Sequence, residues 1–239
     1  MDDRIHTRFD RNRAGRIGLE EAVLAQFKSA DHVAAILTEA LDEGRRLLVT
    51  RLPPEVERAL PAPLRRALDY DALSRTAIIG DMPAPLGAPQ IALVSAGTSD
   101  AAVAAEARRT LAYSGVASVS LSDVGVAGLW RLLDHLEALR DLPVHLVFAG
   151  MDAALPSVLA GQVAGAVIAV PTSVGYGVAE GGRVALDSAL ASCAPGVTVV
   201  NIDNGYGAAC AAMRILGAAD RIATGRGQSD AMPEPSPSR

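Results

Sequence analysis

The chain has 239 residues and a mass of 24.6 kDa, enough for one large α/β domain with a small appendage. Half of its residues are hydrophobic but only 3% are aromatic, so the core must be built from Ala, Val, Leu and Ile. A net charge of −5, from 22 basic and 27 acidic side chains, argues against a nucleic-acid surface, where a basic patch is expected.

Charge is unevenly spread. Residues 1–75 carry 13 basic and 13 acidic side chains, whereas residues 76–216 carry six basic ones. The opening "MDDRIHTRFDRNRAG" lacks the apolar core of a signal peptide and no 18-residue apolar run follows, so a soluble, cytoplasmic protein is expected. "EEAVLAQF" (20–27) predicts a short helix. "SADHVAAILTEALDEG" predicts a longer one, with Ser29 as N-cap and Gly44 just past its end. "RRLLVTRL" predicts a strand, and "PPEVERAL" a helix with proline in its first turn. The expected organisation is an Arg-rich module (1–80), a Pro/Gly linker (81–89), an Ala/Val/Gly-rich core domain (90–216) and a disordered tail (217–239) that includes "GRGQSDAMPEPSPSR".

Beyond the linker the same pattern occurs five times. The apolar runs "QIALVS", "ASVSLS", "VHLVFA", "AVIAVP" and "VTVVNI" each precede a Gly- or Asp-containing turn and an Ala/Leu-rich segment. Continuous apolar strands alternating with helices predict a parallel sheet covered on both faces, a flavodoxin-like doubly wound α/β fold. Ligands of such sheets bind outside the carboxyl ends of the strands. Those ends read "SAGTSD", "SDVGVAG", "AGMDAALP", "PTSVGYG" and "NIDNGYG", which is more polar elaboration than helix capping requires.

In "SAGTSD", the hydroxyls of Ser95, Thr98 and Ser99 and the backbone N–H groups around Gly97 suit a phosphate at a helix start. Asp100 suits either a helix cap or a ribose hydroxyl. Asp152, after Gly150 and Met151, suits either an N-cap or a proton-transfer group over the strand ends, and Asp123 is placed likewise. Glycines flanking an aromatic let backbone approach a flat ligand. That pattern makes Pro171, Thr172, Ser173, Gly175, Tyr176 and Gly177, then Asn201, Asp203 and Asn204, candidate binding residues.

The four histidines and two cysteines show no metal-ligand spacing, and a structural disulfide is not expected in a reducing compartment. Cys210 lies in an Ala-rich helical segment and reads as packing. Cys193 ends a helix predicted to start near Glu180 and precedes the last strand, at the amino edge of the sheet. Chemistry alone leaves it between filler and nucleophile, with its position counting against catalysis within a monomer.

The stretches "VSAGTSD", "SDVGVAGLWRLL", "FAGMDAALPSVLAGQVAGAVIAVPTSVGYG" and "SCAPGVTVVNIDNGYGAA" resemble the LarB family over residues 90–216. "RAGRIGLEEAVLAQFKS" is more loosely similar to that family's leading domain, with Phe27 where a glycine usually precedes the lysine, here Lys28. The core is in turn similar to the PurE family of aminoimidazole ribonucleotide carboxylases and mutases, except that Ala154 stands where those enzymes carry a catalytic histidine. The resemblance implies carboxylation of nicotinic acid adenine dinucleotide at C5 of its pyridinium ring and release of AMP, giving pyridinium-3,5-biscarboxylic acid mononucleotide. It implies a thiolate adduct through Cys193, and proton transfer by Asp152, which replaces the family's usual glutamate. It further implies no tightly bound cofactor, carbon dioxide or bicarbonate as co-substrate, and a homo-oligomer, an octamer as in PurE relatives; whether magnesium is needed is left open. No nucleic-acid or membrane partner is expected. The rival expectations are a PurE-type carboxylase or mutase, and a non-catalytic nucleotide-binding module.

Overall fold

The computed structural model describes residues 8–225; the predicted tail beyond that point and the first seven residues lie outside the described residues. The chain runs through α1 (Arg13–Ile17), β1 (Ala22–Leu24), α2 (Ala30–Asp42), β2 (Leu47–Thr50), α3 (Pro54–Ala59), α4 (Ala62–Ala67), β3 (Asp69–Asp71) and β4 (Thr76–Ile79). These strands form one sheet in the order β1-β2-β4-β3, with β1 parallel to β2 and β4 antiparallel to β2 and β3. The Ser29 hydroxyl accepts the His32 N–H at 3.2 Å, capping α2. Gly44 adopts the left-handed φ of +62° just after it. Val33, Ile36, Leu37 and Ala40 fall on one face of α2 and pack on Leu47, Val49, Ala77 and Ile79.

The predicted helix over 20–27 is instead strand β1 followed by a turn. Ala22, Val23 and Leu24 pair in parallel with Leu48, Val49 and Thr50. Three residues of long-range pairing, with Val23 and Ala25 buried, outweigh the helical propensity of Glu, Ala and Leu.

Residues 81–90 contain neither helix nor strand. The second sheet follows: β5 (Ile91–Ser95), α5 (Ala101–Tyr113), β6 (Ser118–Leu121), α6 (Leu129–Leu133), α7 (Leu136–Arg140), β7 (Val144–Ala149), α8 (Ala154–Ala160), β8 (Ala166–Pro171), α9 (Arg183–Leu190), β9 (Thr198–Val199) and α10 (Gly205–Ala223). Its order is β6-β5-β7-β8-β9, parallel throughout, which is the flavodoxin-like doubly wound fold expected. Alternation along β5 and β7 sends Ala92, Val94, Val147 and Ala149 to the face covered by α6 to α9. Ile91, Leu93, Leu146 and Phe148 go to the face covered by α5 and α10.

Three boundaries differ from expectation. The last strand shrinks to Thr198–Val199, because it pairs only with β8 and then turns through Asn201–Asp203. α9 starts at Arg183 rather than near Glu180, since Gly181 and Gly182 have φ of +74° and +78° and break the helix there. α10 continues to Ala223, so residues 217–223 are helical rather than tail. The two sheets meet where Leu48 and Ile78 pack on Tyr113 of α5. Arg109 reinforces this contact, donating to Thr76 Oγ1 at 2.8 Å and pairing with Asp69 at 3.1 Å.

Candidate functional site

Crossovers on opposite faces of the sheet open a crevice at the carboxyl ends of β5 and β7. A cavity of about 250 Å³ lies there, against Gly97, Ser99, Asp100, Gly150, Met151 and Asp152. Asp100 is 3% exposed. It accepts the Gly97 N–H at 2.8 Å and the Thr172 hydroxyl at 2.6 Å, tying the β5 loop to the β8 loop. Burial pushes its carboxyl above the usual range, although these donors oppose the shift. Gly150 admits no side chain, since a Cβ there would stand 2.2 Å from the Val174 carbonyl oxygen. The Met151 N–H donates to that same oxygen at 2.7 Å.

A second cavity, of about 420 Å³, lies between the two sheets, against Arg51, Arg75, Ser99, Glu106, Ser173 and Asp203. It shares Ser99 and Val174 with the first. Arg51 donates to the Asp203 carbonyl and to Gln26 Oε1 (3.3 Å), and its Nε stands 3.8 Å from Glu106 Oε1. Glu106 is 4% exposed and accepts the Tyr206 N–H through Oε2 at 3.2 Å. The Ser173 N–H donates to Asp203 Oδ1 at 2.8 Å. Arg51, Arg75, Asp123, Met151, Ala153 and Asp203 all have left-handed φ between +47° and +61°. All but Asp123 line one of the two cavities, so backbone strain is concentrated at the strand ends.

Burial pushes the Glu106 carboxyl above its ordinary 4.5, with Arg51 offsetting part of the effect. The folded chain then holds a proton that the unfolded chain has released, so this group's contribution to stability falls as pH rises from 4.5 through the raised value. Glu106→Gln removes that titration and keeps an acceptor for Tyr206. Relative to the parent, its thermal midpoint is expected to rise as the pH increases from 4.5 through that raised value. A difference independent of pH in thermal unfolding would show that Glu106 does not titrate this way.

Gly97, Ser99, Asp100, Gly150, Met151, Asp152, Ser173 and Asp203 are therefore brought together on the cavity walls. Ser95 is buried behind them, its hydroxyl without a partner among the described residues. Thr98 is exposed in the same loop, and Pro171 and Thr172 are buried under it. Asp152 is not the cap of α8; Ala153 is, and the Asp152 carboxylate stays exposed with one 3.4 Å contact to the Ala154 N–H. Asp123 pairs with Arg131 at 2.7 Å. Asn204 caps α10 by accepting the Gly207 N–H, and the Asn201 side chain accepts its neighbour's N–H. Tyr176 is 76% exposed, and the glycines beside it serve the turn: Gly175 lies against the Ala179 carbonyl and Gly177 has φ +58°.

Cys193 lines neither cavity. α9 carries the chain from the carboxyl edge back to the amino edge, where Cys193 is exposed in the loop before β9. A hydrogen bond of 2.7 Å between Ser192 and Ser157 ties that loop to α8. Among the described residues no three His, Cys, Asp or Glu side chains gather as a metal-ligand set.

Sequence reading missed Arg51, Arg75 and Glu106. Glu106 had a signal, being a carboxylate on the stripe of α5 that also buries Ala107, Thr110 and Leu111. Arg51 and Arg75 had none, because only the docking of the two sheets brings them to the strand ends.

Two family models match the chain: "LarB/PurE-like N-terminal domain" over residues 1–81 and "AIR carboxylase" over residues 90–229. An uncharacterized protein of Methanocaldococcus jannaschii is 36% identical over 210 residues, covering 84% of this chain and 80% of its own. Both matched regions, the switch-point cavity and the strand order agree, and the chain belongs to the LarB family, with an AIR carboxylase-like core of the PurE type.

Proposed function

We propose that the protein carboxylates C5 of the pyridinium ring of nicotinic acid adenine dinucleotide and hydrolyses its phosphoanhydride, giving pyridinium-3,5-biscarboxylic acid mononucleotide and AMP. The observation that carries this reading is the pair of cavities joined at Ser99 and Val174. A cleft with a switch-point half and an Arg-lined half suits a ligand made of two nucleotides. Carbon dioxide or bicarbonate and water are the co-reactants, and no tightly bound cofactor enters.

A pyridinium ring is electron-poor and does not attack carbon dioxide. Addition of the Cys193 thiolate to a ring carbon turns the ring into a neutral enamine, whose C5 forms the new carbon–carbon bond. Loss of the C5 proton to Asp152, with Asp123 on the adjacent loop, and expulsion of the thiolate restore aromaticity. A thiolate is both a strong nucleophile and a good leaving group, which this sequence of steps demands. Cys193 sits at the far edge of its own sheet, so the thiol that serves each cleft comes from a neighbouring chain of a homo-oligomer, an octamer in this reading. Large apolar side chains left exposed, Trp130 (66%) and Leu190 (65%) among them, support burial between subunits.

Incubation with nicotinic acid adenine dinucleotide and bicarbonate, followed by mass spectrometry, is expected to yield the dicarboxylated mononucleotide and AMP. Turnover of aminoimidazole ribonucleotide instead would overturn the reading. Ser99→Asp puts a carboxylate on the wall common to both cavities and is expected to weaken dinucleotide binding by about tenfold or more, read by calorimetry. Unchanged affinity would move the phosphates away from Ser99.

A further inference from the structure

Among the described residues one hydrogen bond joins α8 to the loop that carries Cys193, between the hydroxyls of Ser157 and Ser192 at 2.7 Å. The Ser192 hydroxyl also accepts the Ala194 N–H at 3.2 Å. A bond of that span closes a tight turn, and Cys193 is its apex. Ser192 and Ala194 are half-buried while Cys193 between them is exposed, so the turn presents the thiol outward. Beyond it, Pro195 biases Ala194 towards extended backbone, and Gly196 takes a left-handed φ of +85°. The anchor at the other end is itself fixed, because Leu155 and Leu159 bury α8 against the sheet.

The remaining residues of α8 are apolar, so a serine in its middle needs a reason. Stability does not supply one. Replacing both partners of a hydrogen bond by apolar groups is close to neutral, and serine is a weaker helix former than alanine. What the pair adds is direction.

We propose that Ser157 is a positioning residue for the reaction assigned above: through Ser192 it fixes the turn that aims the Cys193 thiol. The brace itself rests on the bonds just described, and its use against a pyridinium ring rests on the proposed function. Addition to a ring carbon requires the sulfur to approach along a narrow path, and a misplacement of about 1 Å can cost about 100-fold in rate. Loosening the turn lowers the share of time in which the sulfur is aligned. Ser157 reaches the thiol through the turn alone, so the ionisation of the thiol is left as it was. Neither Ser157 nor Ser192 lines the two cavities, so binding of the dinucleotide is left as well.

Ser157→Thr and Ser157→Val have the same shape and differ by the hydroxyl, which separates the bond from packing. Ser157→Val is expected to lower kcat for carboxylation by about tenfold, with KM for the dinucleotide and the shape of the pH profile unchanged. Ser157→Thr is expected to stay within about threefold of the parent. Ser192→Ala breaks the same bond from the loop side and is expected to match Ser157→Val. Amide hydrogen exchange of the full chain, read by mass spectrometry, supplies a measurement that needs no turnover. Exchange over residues 191–197 is expected to quicken by about fivefold in Ser157→Val and Ser192→Ala but not in Ser157→Thr. Equal kcat for Ser157→Thr and Ser157→Val, or equal exchange over 191–197 in the two, would overturn the inference. A parent that shows the exchange pattern through its variants yet forms no dicarboxylated mononucleotide would overturn the functional reading and leave the brace standing.

Discussion

Cys193→Ala is expected to abolish formation of the dicarboxylated mononucleotide, by about 10⁴-fold or more, while dinucleotide affinity stays within several-fold. In the proposed mechanism the thiolate is what makes the ring electron-rich, whereas the linings of the two cavities do not include this side chain. Cys210→Ala is the internal control. Burial in α10 pushes the Cys210 thiol up, so it is protonated and unreactive at neutral pH, and its loss is expected to cost about 1 kcal/mol of stability with activity retained. The far-edge position of Cys193 makes a second outcome follow. Mixed oligomers of Cys193→Ala with Ser99→Asp are expected to recover activity that neither variant has alone, because one functional cleft and one functional thiol then meet across a subunit contact. Near-normal turnover by Cys193→Ala would end the covalent mechanism, and a fully active monomer in light scattering would end the shared site.

Gly150→Ala is expected to damage both stability and binding. The new methyl would stand 2.2 Å from the Val174 carbonyl oxygen, 2.7 Å from Thr172 Oγ1 and 2.8 Å from Val174 Cβ. Both residues are held in place: Val174 is part of the wall between the cavities and its carbonyl accepts the Met151 N–H, and Thr172 donates to the buried Asp100. Overpacking of this kind costs about 1–3 kcal/mol, which for a chain of this size lowers the thermal midpoint by roughly 2–12 °C. Displacing Val174 also removes the Met151 N–H acceptor, so dinucleotide binding is expected to fall with it. Gly161→Ala ends α8 with a negative φ and its nearest neighbour at 3.6 Å, and it is expected to change stability by less than about 0.5 kcal/mol. Equal midpoints for the two variants in thermal unfolding would contradict the steric account.

What the sequence by itself determined is what local chemistry decides. Apolar runs of four to six residues followed by Gly/Asp turns specified β5 to β8, and the cap pair Ser29 and Gly44 specified α2. The cluster Gly97, Ser99, Asp100, Gly150 was legible because every strand of a parallel sheet delivers its carboxyl end to the same edge. The short β1 was not, because a three-residue strand exists only through pairing with β2, which lies some twenty residues further along the chain. Only tertiary structure decided which polar residues face one another. Arg51 reaches Glu106, and Arg75 joins the wall of the same cavity, because Leu48 and Ile78 dock on Tyr113, a packing contact that no periodicity in either segment announces. The same holds for Asp152, whose carboxylate stays exposed with a single long contact to the Ala154 N–H because Ala153 takes the cap position in a left-handed conformation. Local spacing sets which way a side chain leaves its own strand or helix, but the partners it meets are set by long-range docking of separately formed surfaces.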